Sequence, residues 1–387
     1  MIVMENQQNP DIKKKLEPLY ESGILVDERN WSDYLKKFNN TSAVPSKEFW
    51  NGKKVMITGV GGFLGSNLAE KILGYGSDVV GIVANHDLKK YPNIADLRDR
   101  MKLYICDLSD YGQVEDIIKS EKPETVFHYA AISFVPKSVE QPNIVFQNNV
   151  ASTTNILHAT ARHNKEATFK IYTALSSEQY GFGKDLSEFP ISEDNPFRPC
   201  SPYAVSKIAT EMIGESYHYS DDLPVLRIRT FNQEGVGDPI DIKRARDDRF
   251  FTATVAKQIA MYLAGKTDKI AIGNQNALRD FIDVKDSINA HLLAVEKCEP
   301  NEPYNVCTNY GILTGDFARI ACKLFGIPPE KIITDIQKTR QYESYPAFVH
   351  GFVGNNKKFR EKTGWAPTRS MKGIIEESVK YQQEVSA

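Results

Sequence analysis

The sequence has little cysteine and no pair of cysteines with the spacing of a metal or redox motif. Its five cysteines are scattered, and no C-x-x-C pair occurs. This pattern is typical of free thiols in a reducing compartment. We therefore expect no metal site and a cytoplasmic location. The cysteines are Cys106, Cys200, Cys298, Cys307 and Cys322.

An excess of charge of one sign is also absent, as are long apolar runs. Lys and Arg number 48 and Asp and Glu number 50, for a formal net charge of −2. This balance indicates no nucleic-acid-binding surface. No apolar run is long enough to cross a bilayer. The polar stretch Met1–Lys15 carries charges of both signs and does not resemble a signal peptide. We expect neither nucleic-acid nor membrane partners.

What the sequence does contain, from Lys53 onwards, is a regular alternation of short apolar strands and helical stretches. Strands that alternate with helices predict parallel βαβ units. The predicted fold class is therefore α/β, with a doubly wound parallel sheet of the Rossmann type. The predicted strands are Val55–Thr58, Val79–Val83, Lys102–Ile105, Thr125–His128, Lys170–Leu175 and Val225–Arg229.

Three regions are predicted along the chain. Residues 1–50 carry apolar side chains among charged ones. We expect a helical extension that packs on the body or on a second subunit; the alternative is a partly ordered extension. Residues 51–232 form the predicted dinucleotide-binding domain. Residues 233–387, where the alternation loosens, form a smaller mixed α/β region that mainly binds substrate. Within it Pro239–Arg249 is a predicted charged loop, and Arg279–Val284 is predicted to open a helix.

A glycine-rich turn follows the first predicted strand. Gly59, Gly62 and Gly65 have the G-x-x-G-x-x-G spacing, and an apolar-periodic helix follows them. Glycine permits the tight turn and lets the backbone approach a pyrophosphate at a helix N-terminus. Glycines are common in turns, but the strand before and the helix after are the context that a dinucleotide site requires.

The residues that end the second predicted strand do not decide between NAD and NADP. A carboxylate there binds the ribose 2′-hydroxyl, whereas an arginine favours the 2′-phosphate. This chain has neither; Asn85 could bond a ribose hydroxyl, and Lys89 or Lys90 could reach a phosphate. We prefer NAD and expect Asp107-Leu108, after the third strand, to contact the adenine.

A Tyr-x-x-x-Lys pair indicates a base. Tyr203 and Lys207 are four residues apart, so they share one helix face. Ser201-Pro202 supplies a helix cap and a first-turn proline just before them. The helix N-terminus and the ammonium group both favour the phenolate of Tyr203, whose ordinary pKa is about 10.

Ser176-Ser177-Glu178 follows the predicted strand Lys170–Leu175. Glu178 is either a solvated loop carboxylate or a second base, because α/β sheets bind ligands beyond the carboxyl ends of their strands. Oxidation of an alcohol does not need a second base. His128 is expected to be a core or cofactor-side residue and not a metal ligand.

Together these motifs resemble the extended short-chain dehydrogenase/reductase family that acts on nucleotide sugars. The resemblance covers about residues 53–383. Its markers are Thr58-Gly59-x-x-Gly62-Phe63-x-Gly65, Asp107-Leu108, His128-x-Ala130-Ala131, Ser176-Ser177-Glu178-x-Tyr180-Gly181, Ser201-Pro202-Tyr203-x-x-x-Lys207, Arg279-Asp280-Phe281-Ile282-Asp283-Val284 and Gly364-Trp365-x-Pro367.

Within this family, Ser-Ser-Glu looks most like the Thr-Ser-Glu of GDP-mannose 4,6-dehydratases, and Phe231-Asn232-Gln233-Glu234 resembles their Phe-Asn-His-Glu. The resemblance implies a nucleotide-sugar 4,6-dehydratase that recycles its cofactor. The alternatives are a 4-epimerase, a 4-keto-sugar reductase or a UDP-glucuronate decarboxylase, and, of another class, a non-catalytic dinucleotide-binding regulator. Two departures from the family pattern are Tyr345-Pro346, where Arg-Pro is common, and Pro239–Arg249, which looks like an insertion.

The resemblance also implies roles for individual residues. We expect catalysis by Ser176, Glu178, Tyr203 and Lys207, and contacts with NAD or NADP from Gly59, Gly62, Phe63, Leu64, Asp107, Leu108, Ala130, Ala131, Tyr203 and Lys207. Substrate contacts are expected from Ser177, Asn232, Lys257 and Arg279. The expected partner is a nucleotide-diphosphate sugar, and the expected assembly is a homodimer or homotetramer.

Overall fold

The computed structural model describes residues 10–38, 41–238, 244–339 and 349–386. Residues 239–243 of the predicted insertion and Tyr345-Pro346 lie outside the described residues. In the described part of the chain, no helix is both long and apolar enough to cross a bilayer.

Helices and strands alternate through most of the described chain. The helices are α1 (Pro10–Glu21), α2 (Trp31–Lys36), α3 (Lys47–Trp50), α4 (Phe63–Gly74), α5 (Tyr111–Glu121), α6 (Val135–Glu140), α7 (Pro142–His163), α8 (Pro202–Asp221), α9 (Phe251–Leu263), α10 (Val284–Lys297), α11 (Thr314–Leu324), α12 (Lys357–Thr363) and α13 (Met371–Ser386). The strands are β1 (Leu25–Val26), β2 (Lys54–Thr58), β3 (Asp78–Val83), β4 (Lys102–Ile105), β5 (Thr125–His128), β6 (Lys170–Ser176), β7 (Phe182–Gly183), β8 (Val225–Thr230), β9 (Asn232–Glu234), β10 (Ile270–Ile272), β11 (Leu278–Arg279), β12 (Phe281–Asp283), β13 (Pro303–Val306), β14 (Gly311–Leu313), β15 (Ile332–Thr334) and β16 (Val349–His350).

The main sheet has seven parallel strands in the order β13-β8-β6-β5-β2-β3-β4. The chain starts at the central strand β2, builds outwards to β4, and then returns to add β5 on the other side. This reversal creates a switch point between β2 and β5, where α/β sheets bind ligands. The prediction of a doubly wound parallel sheet is confirmed. Strand β13 completes the sheet although it lies beyond residue 232.

Apolar side chains cover both faces of this sheet. In β2, Val55 and Ile57 belong to a core cluster shared with α4 and α10, whereas Met56 belongs to a cluster shared with α5 and α7. Successive strand residues point to opposite faces, so a strand with helices on both sides must be apolar at every position. This requirement explains the continuous apolar runs of the sequence.

The N-terminal segment packs onto the smaller region. Leu16 of α1 and Leu25 of β1 are fully buried in a cluster with residues of β11 and β14. Strand β1 pairs in parallel with β14, which pairs antiparallel with β11. The Tyr34 hydroxyl accepts a hydrogen bond from the Met371 backbone N–H at 2.8 Å. The N-terminal segment therefore helps to build the small sheet that carries Arg279.

The segment Arg279–Val284 differs from its prediction as the opening of a helix. Residues 278–283 form β11 and β12, and α10 begins only at Val284. The Asp283 carboxylate accepts a hydrogen bond from the Lys285 backbone N–H at 2.9 Å, which caps the helix. The residues before this cap have an extended backbone because β12 pairs with β9 in parallel.

The burial of α1 gives a first prediction. Leu16→Ala should lower the free energy of unfolding by about 2–5 kcal/mol, because it removes apolar contacts and leaves a cavity. Val44→Ala, at a side chain that is 72% exposed, should change it by less than about 0.5 kcal/mol. Urea denaturation of both variants measures the difference. Equal, small losses would contradict the packing of α1 on the body.

Candidate active site

A cavity of about 330 Å³ opens at the carboxyl ends of the central strands. It brings together the glycine-rich turn, the Ser-Ser-Glu segment, the start of α8 and the strand β9, which are far apart in the sequence. Its lining includes Gly59, Gly62, Phe63, Leu64, Gly65, Tyr129, Ala131, Ser176, Ser177, Glu178, Tyr203, Lys207, Asn232, Gln233, Glu234, Arg246, Arg249, Phe250 and Arg279.

The glycine-rich turn is close-packed and requires glycine at two positions. Gly59 has φ +68°, and a Cβ on it would lie 2.9 Å from the Ala130 backbone nitrogen. A Cβ on Gly65 would lie 2.4 Å from the Gly59 carbonyl oxygen. The N-cap of α4 is Gly62, which has no side chain to cap the helix. The first N–H groups of α4 thus remain suited to an anion such as a pyrophosphate.

A buried hydrogen-bond chain holds the ends of β2 and β5 together beside this turn. The Thr58 hydroxyl lies 2.8 Å from His128 Nδ1 and accepts from the Ala130 backbone N–H at 3.1 Å. His128 Nε2 lies 3.1 Å from the Thr153 hydroxyl. Burial lowers the pKa of His128 to about 3, and the charge of Lys207 acts in the same direction. His128 is therefore a neutral structural residue.

The start of α8 presents Tyr203 and Lys207 to the cavity. The Ser201 hydroxyl accepts from the Ala204 backbone N–H at 3.1 Å and caps the helix. Lys207 Nζ donates to the Ala174 carbonyl at 2.8 Å and lies 5.9 Å from the centre of the Tyr203 ring. Burial lowers the pKa of Lys207 to about 8. The start of α8 thus brings a phenol and a buried ammonium group to the same cavity.

The Ser-Ser-Glu segment forms a tight turn at the end of β6. The Ser176 hydroxyl accepts from the Glu178 backbone N–H at 3.2 Å, and the Ser176 backbone N–H donates to Gln179 Oε1 at 3.0 Å. Ser177 and Glu178 are 3% and 9% exposed. Burial, and then the charge of Glu178, raise the pKa of the Cys200 thiol. Glu178 is a buried carboxylate on the cavity wall and not a solvated loop residue.

The other predicted site residues divide into two groups. Asn232 and Arg279 line the cavity; the Asn232 side chain donates to the Asp280 carbonyl at 3.0 Å. Asp107 is exposed after β4 and accepts from the Ser109 backbone N–H at 2.9 Å. Lys257 is exposed on α9, with Nζ 2.5 Å from an Asp248 carboxylate oxygen. Asp107 and Lys257 are thus outside the described cavity lining. The lining also lacks Leu108, which is buried, and Ala130, which lies against Gly59.

Arg246 lines the cavity although no sequence motif pointed to it. Its guanidinium carbon lies 3.5 Å from the Phe250 ring centre and 5.3 Å from the Phe63 ring centre. Its Nε lies 3.7 Å from a Glu234 carboxylate oxygen and has no hydrogen-bond partner among the described residues. Burial lowers the pKa of Arg246, and the nearby Glu234 and Tyr203 oppose this shift. The only sequence signal was a run of arginines before two phenylalanines.

A second chain of hydrogen bonds orients Gln233, which the sequence analysis also did not place in the site. The Tyr129 hydroxyl lies 2.7 Å from His291 Nδ1, and His291 Nε2 lies 3.1 Å from the Ser287 hydroxyl. The Ser287 hydroxyl donates to Gln233 Oε1 at 2.6 Å. This hydrogen bond fixes the orientation of the Gln233 side-chain amide, which lines the cavity.

A larger cavity, of about 580 Å³, adjoins the first one. Arg249 and Arg279 line both, so two cations stand at the junction. We call the first cavity the inner cavity and this one the outer cavity. The apolar part of the outer wall comes from α6, α9, β10 and the segments next to them. It includes Phe134, Val135, Pro136, Val139, Phe250, Phe251, Val255, Ala271, Ile272 and Ala277. An elongated ligand with an anionic middle and a flat apolar end matches this shape. Within the described residues, no cluster of potential metal ligands occurs.

Comparison with known proteins finds a matching family model and several relatives. Residues 56–378 match the family model described as GDP-mannose 4,6 dehydratase, which leaves the N-terminal segment outside. A GDP-mannose 4,6-dehydratase of Yersinia enterocolitica is 27% identical over 84% of this chain and 93% of its own length. A UDP-glucose 4-epimerase of Lactobacillus helveticus is 26% identical over 74% of this chain and 90% of its own.

A solved structure of RMD from Pseudomonas aeruginosa complexed with NADPH has the same fold. It superposes with a TM-score of 0.70 at 24% identity, and the match covers 86% of this chain and 99% of that one.

The neutral state of His128 predicts a pH dependence of stability. Below pH of about 6.5 an unfolded histidine binds a proton, whereas folded His128 stays neutral down to about pH 3. This residue should therefore lower the free energy of unfolding by about 1.4 kcal/mol for each pH unit of acidification in that interval. His128→Gln should remove this contribution, as urea denaturation at several pH values would show. The exposed His86 provides the control His86→Gln; equal slopes for all three proteins would contradict the prediction.

Proposed function

The chain belongs to the GDP-mannose 4,6 dehydratase family, a family of NAD(P)-dependent nucleotide-sugar dehydratases and epimerases. From this membership we propose that the protein is a nucleotide-sugar 4,6-dehydratase that acts on GDP-mannose or a similar substrate. The observation that carries the proposal is Glu178, a buried carboxylate in the same cavity as Tyr203 and Lys207. A simple alcohol dehydrogenase needs the last two but not the first.

The cavity fits a dinucleotide cofactor. The start of α4, whose N-cap Gly62 has no side chain, supplies N–H donors for the pyrophosphate. Lys207 is placed to hold a cofactor ribose. We keep NAD as the preferred form because no arginine stands directly after β3; Asn85 accepts there from the Asp87 backbone N–H at 2.9 Å. The bound cofactor would supply reversible hydride transfer, for oxidation at C4 of the sugar and reduction at C6.

The side chains around the sugar supply the proton transfers. Tyr203, as phenolate, removes the proton of the 4-hydroxyl, and the nearby Lys207 ammonium stabilises the negative charge of the phenolate. The Ser176 hydroxyl hydrogen-bonds the 4-oxygen as it becomes a carbonyl. Its position at the end of β6, in the cavity wall, suits that contact.

Glu178 carries out the step that distinguishes a dehydratase. The 4-keto group acidifies the proton on C5, and the Glu178 carboxylate takes that proton. The C6–O bond then breaks. Two protons have been taken from the sugar, one by Tyr203 from the 4-hydroxyl and one by Glu178 from C5; one of them leaves with the hydroxyl as water, and the other remains for C5. A proton later returns to C5, so the overall change is the loss of one water.

The adjoining cavities accommodate the rest of a nucleotide sugar. The sugar occupies the inner cavity beside Ser177 and Asn232, and the nucleoside occupies the outer one. Arg279 and Arg249, which line both cavities, bind the diphosphate between them. Arg249 is also paired with the Asp247 carboxylate, with Nη2 2.7 Å from an oxygen, and this pairing opens when the diphosphate binds. Lys257 remains a candidate for this diphosphate only if its pairing with Asp248 opens.

We propose that Arg246 also binds the pyrophosphate of the cofactor. Its guanidinium lies against Phe63, the first residue of α4, and 18% of the side chain is exposed. An arginine whose Nε lacks a hydrogen bond gains most from an anionic ligand. Glu234 alone, at 3.7 Å, does not satisfy it.

The role of Glu178 is tested by Glu178→Gln. The variant should bind cofactor and nucleotide sugar normally, because the side chain is nearly isosteric. It should still transfer the hydride from C4 but not remove the C5 proton. Stopped-flow absorbance should show reduced nicotinamide accumulating, and mass spectrometry should show no deuterium from solvent at C5. Product formation should fall by about 10²–10⁴-fold.

Tyr203→Phe is the matched control, because it blocks the earlier step. It should lose both the accumulation of reduced nicotinamide and the product, while the ring still packs. If Glu178→Gln turns over at the wild-type rate, the dehydratase proposal fails, and a 4-epimerase or 4-keto-sugar reductase becomes the better account.

Substitutions of Arg246 and Arg249 should distinguish the site that binds the cofactor pyrophosphate from the site that binds the diphosphate of the substrate. Arg246→Met should weaken binding of the dinucleotide by about 10–100-fold, the loss expected for one charge-assisted hydrogen bond. Arg249→Met should instead weaken binding of the nucleoside diphosphate. Isothermal titration calorimetry with each ligand measures both effects. The assignment is wrong if Arg246→Met leaves dinucleotide affinity unchanged.

A further inference from the structure

The residue after the Ser-Ser-Glu segment, Gln179, is polar and fully buried. A buried amide is costly unless its donors and acceptors are paired. Its Oε1 accepts from the Ser176 backbone N–H at 3.0 Å, and its Nε2 donates to Glu211 Oε2 at 2.6 Å. One side chain therefore joins the catalytic turn to helix α8.

The bridge requires a side chain that accepts at one end and donates at the other, as a neutral amide does. A backbone N–H can only donate, and an ionised carboxylate can only accept. Burial by itself would raise the pKa of Glu211, but Arg229 and Arg227 hold it below its ordinary value, so Glu211 is ionised. Leucine at position 179 could satisfy neither partner, and an ionised glutamate could not donate to Glu211.

The far end of the bridge is firmly held. Glu211 Oε1 accepts from Arg227 Nε at 3.0 Å and from Arg229 Nη2 at 2.7 Å, and both arginines lie on β8. Glu211 is on α8, two turns beyond Tyr203 and one turn beyond Lys207. Hydrogen bonds through Gln179 thus fix the Ser176 backbone relative to α8, the helix that carries the proposed base Tyr203.

We propose that Gln179 is a positioning residue that holds Ser176 and Glu178 in register with Tyr203 and Lys207. This inference rests on the proposed function, in which all four side chains act on one sugar ring. Both proton-transfer steps depend on distances between β6 and α8. A displacement of about 1 Å between reacting groups costs about 10²-fold in rate.

The test compares Gln179→Leu with Tyr180→Phe. Tyr180 is also buried, and its hydroxyl contacts the same cluster: it accepts from Arg229 Nη1 at 2.9 Å and donates to Asn305 at 2.7 Å. It makes no hydrogen bond to the Ser176 backbone. Both variants should lose comparable thermal stability. Gln179→Leu should lower kcat by about 10–100-fold with KM within about threefold of wild type, whereas Tyr180→Phe should keep the wild-type kcat.

Hydrogen exchange provides a readout that does not depend on the reaction. The Ser176 amide should be protected in the wild-type protein and in Tyr180→Phe, and should exchange at least about tenfold faster in Gln179→Leu. If Gln179→Leu does not fold, Gln179→Met, whose unbranched side chain has a similar length, replaces it. If neither folds, the wild-type amide decides, since an unprotected Ser176 N–H would overturn the bridge.

The outcomes separate this inference from the proposed function. If wild-type protein converts no nucleotide sugar but the exchange pattern is as expected, the proposed function fails and the bridge stands. If wild type is active and Gln179→Leu keeps its kcat, or if Tyr180→Phe loses kcat equally, the positioning role is overturned while the proposed function stands.

Discussion

The ion cluster around Glu211 is the interaction on which the site depends. One carboxylate on α8 binds Arg227 and Arg229 of β8 and, through Gln179, the turn that follows β6. A buried charge of this kind must be fully paired, because losing one partner leaves an uncompensated charge in a medium of low polarity. Because Glu211 is bonded to both arginines and to Gln179, the cluster fixes the position of α8 relative to β8 and to the turn after β6. Stability and active-site geometry are therefore linked through the same residues.

The rest of the site is assembled by the topology of the sheet. Parallel strands place all their carboxyl ends at one edge, and the reversal between β2 and β5 opens a crevice there. The glycine-rich turn, His128 and the Ser-Ser-Glu segment meet at this edge although they come from distant parts of the chain. The short pair β9–β12 then brings Asn232 close to Arg279, and the N-terminal strand β1 supports this region through β14.

The local features of the chain could be predicted well. The strands of the main sheet and the turn at Gly59 carry their signals within a few residues, as apolar runs and glycine spacing do. The Tyr203–Lys207 pair follows from helical periodicity alone. By contrast, Arg246 and Gln233 enter the cavity from segments with no such pattern, and Lys257, predicted to bind substrate, lies on the exposed side of α9 with Asp248. Nothing local distinguishes an arginine that points inwards from one that points to water.

The sequence by itself determined the fold class, the glycine-rich turn and the chemical character of the candidate site residues, because these depend on short-range spacing and side-chain type. Only the tertiary structure decided whether Glu178 is solvated or buried, which cations border the cavities, and how β6 is held against α8. These properties depend on the partners that surround each group. A carboxylate or an amide acquires its role from the charges and hydrogen bonds that folding brings to it from elsewhere in the chain.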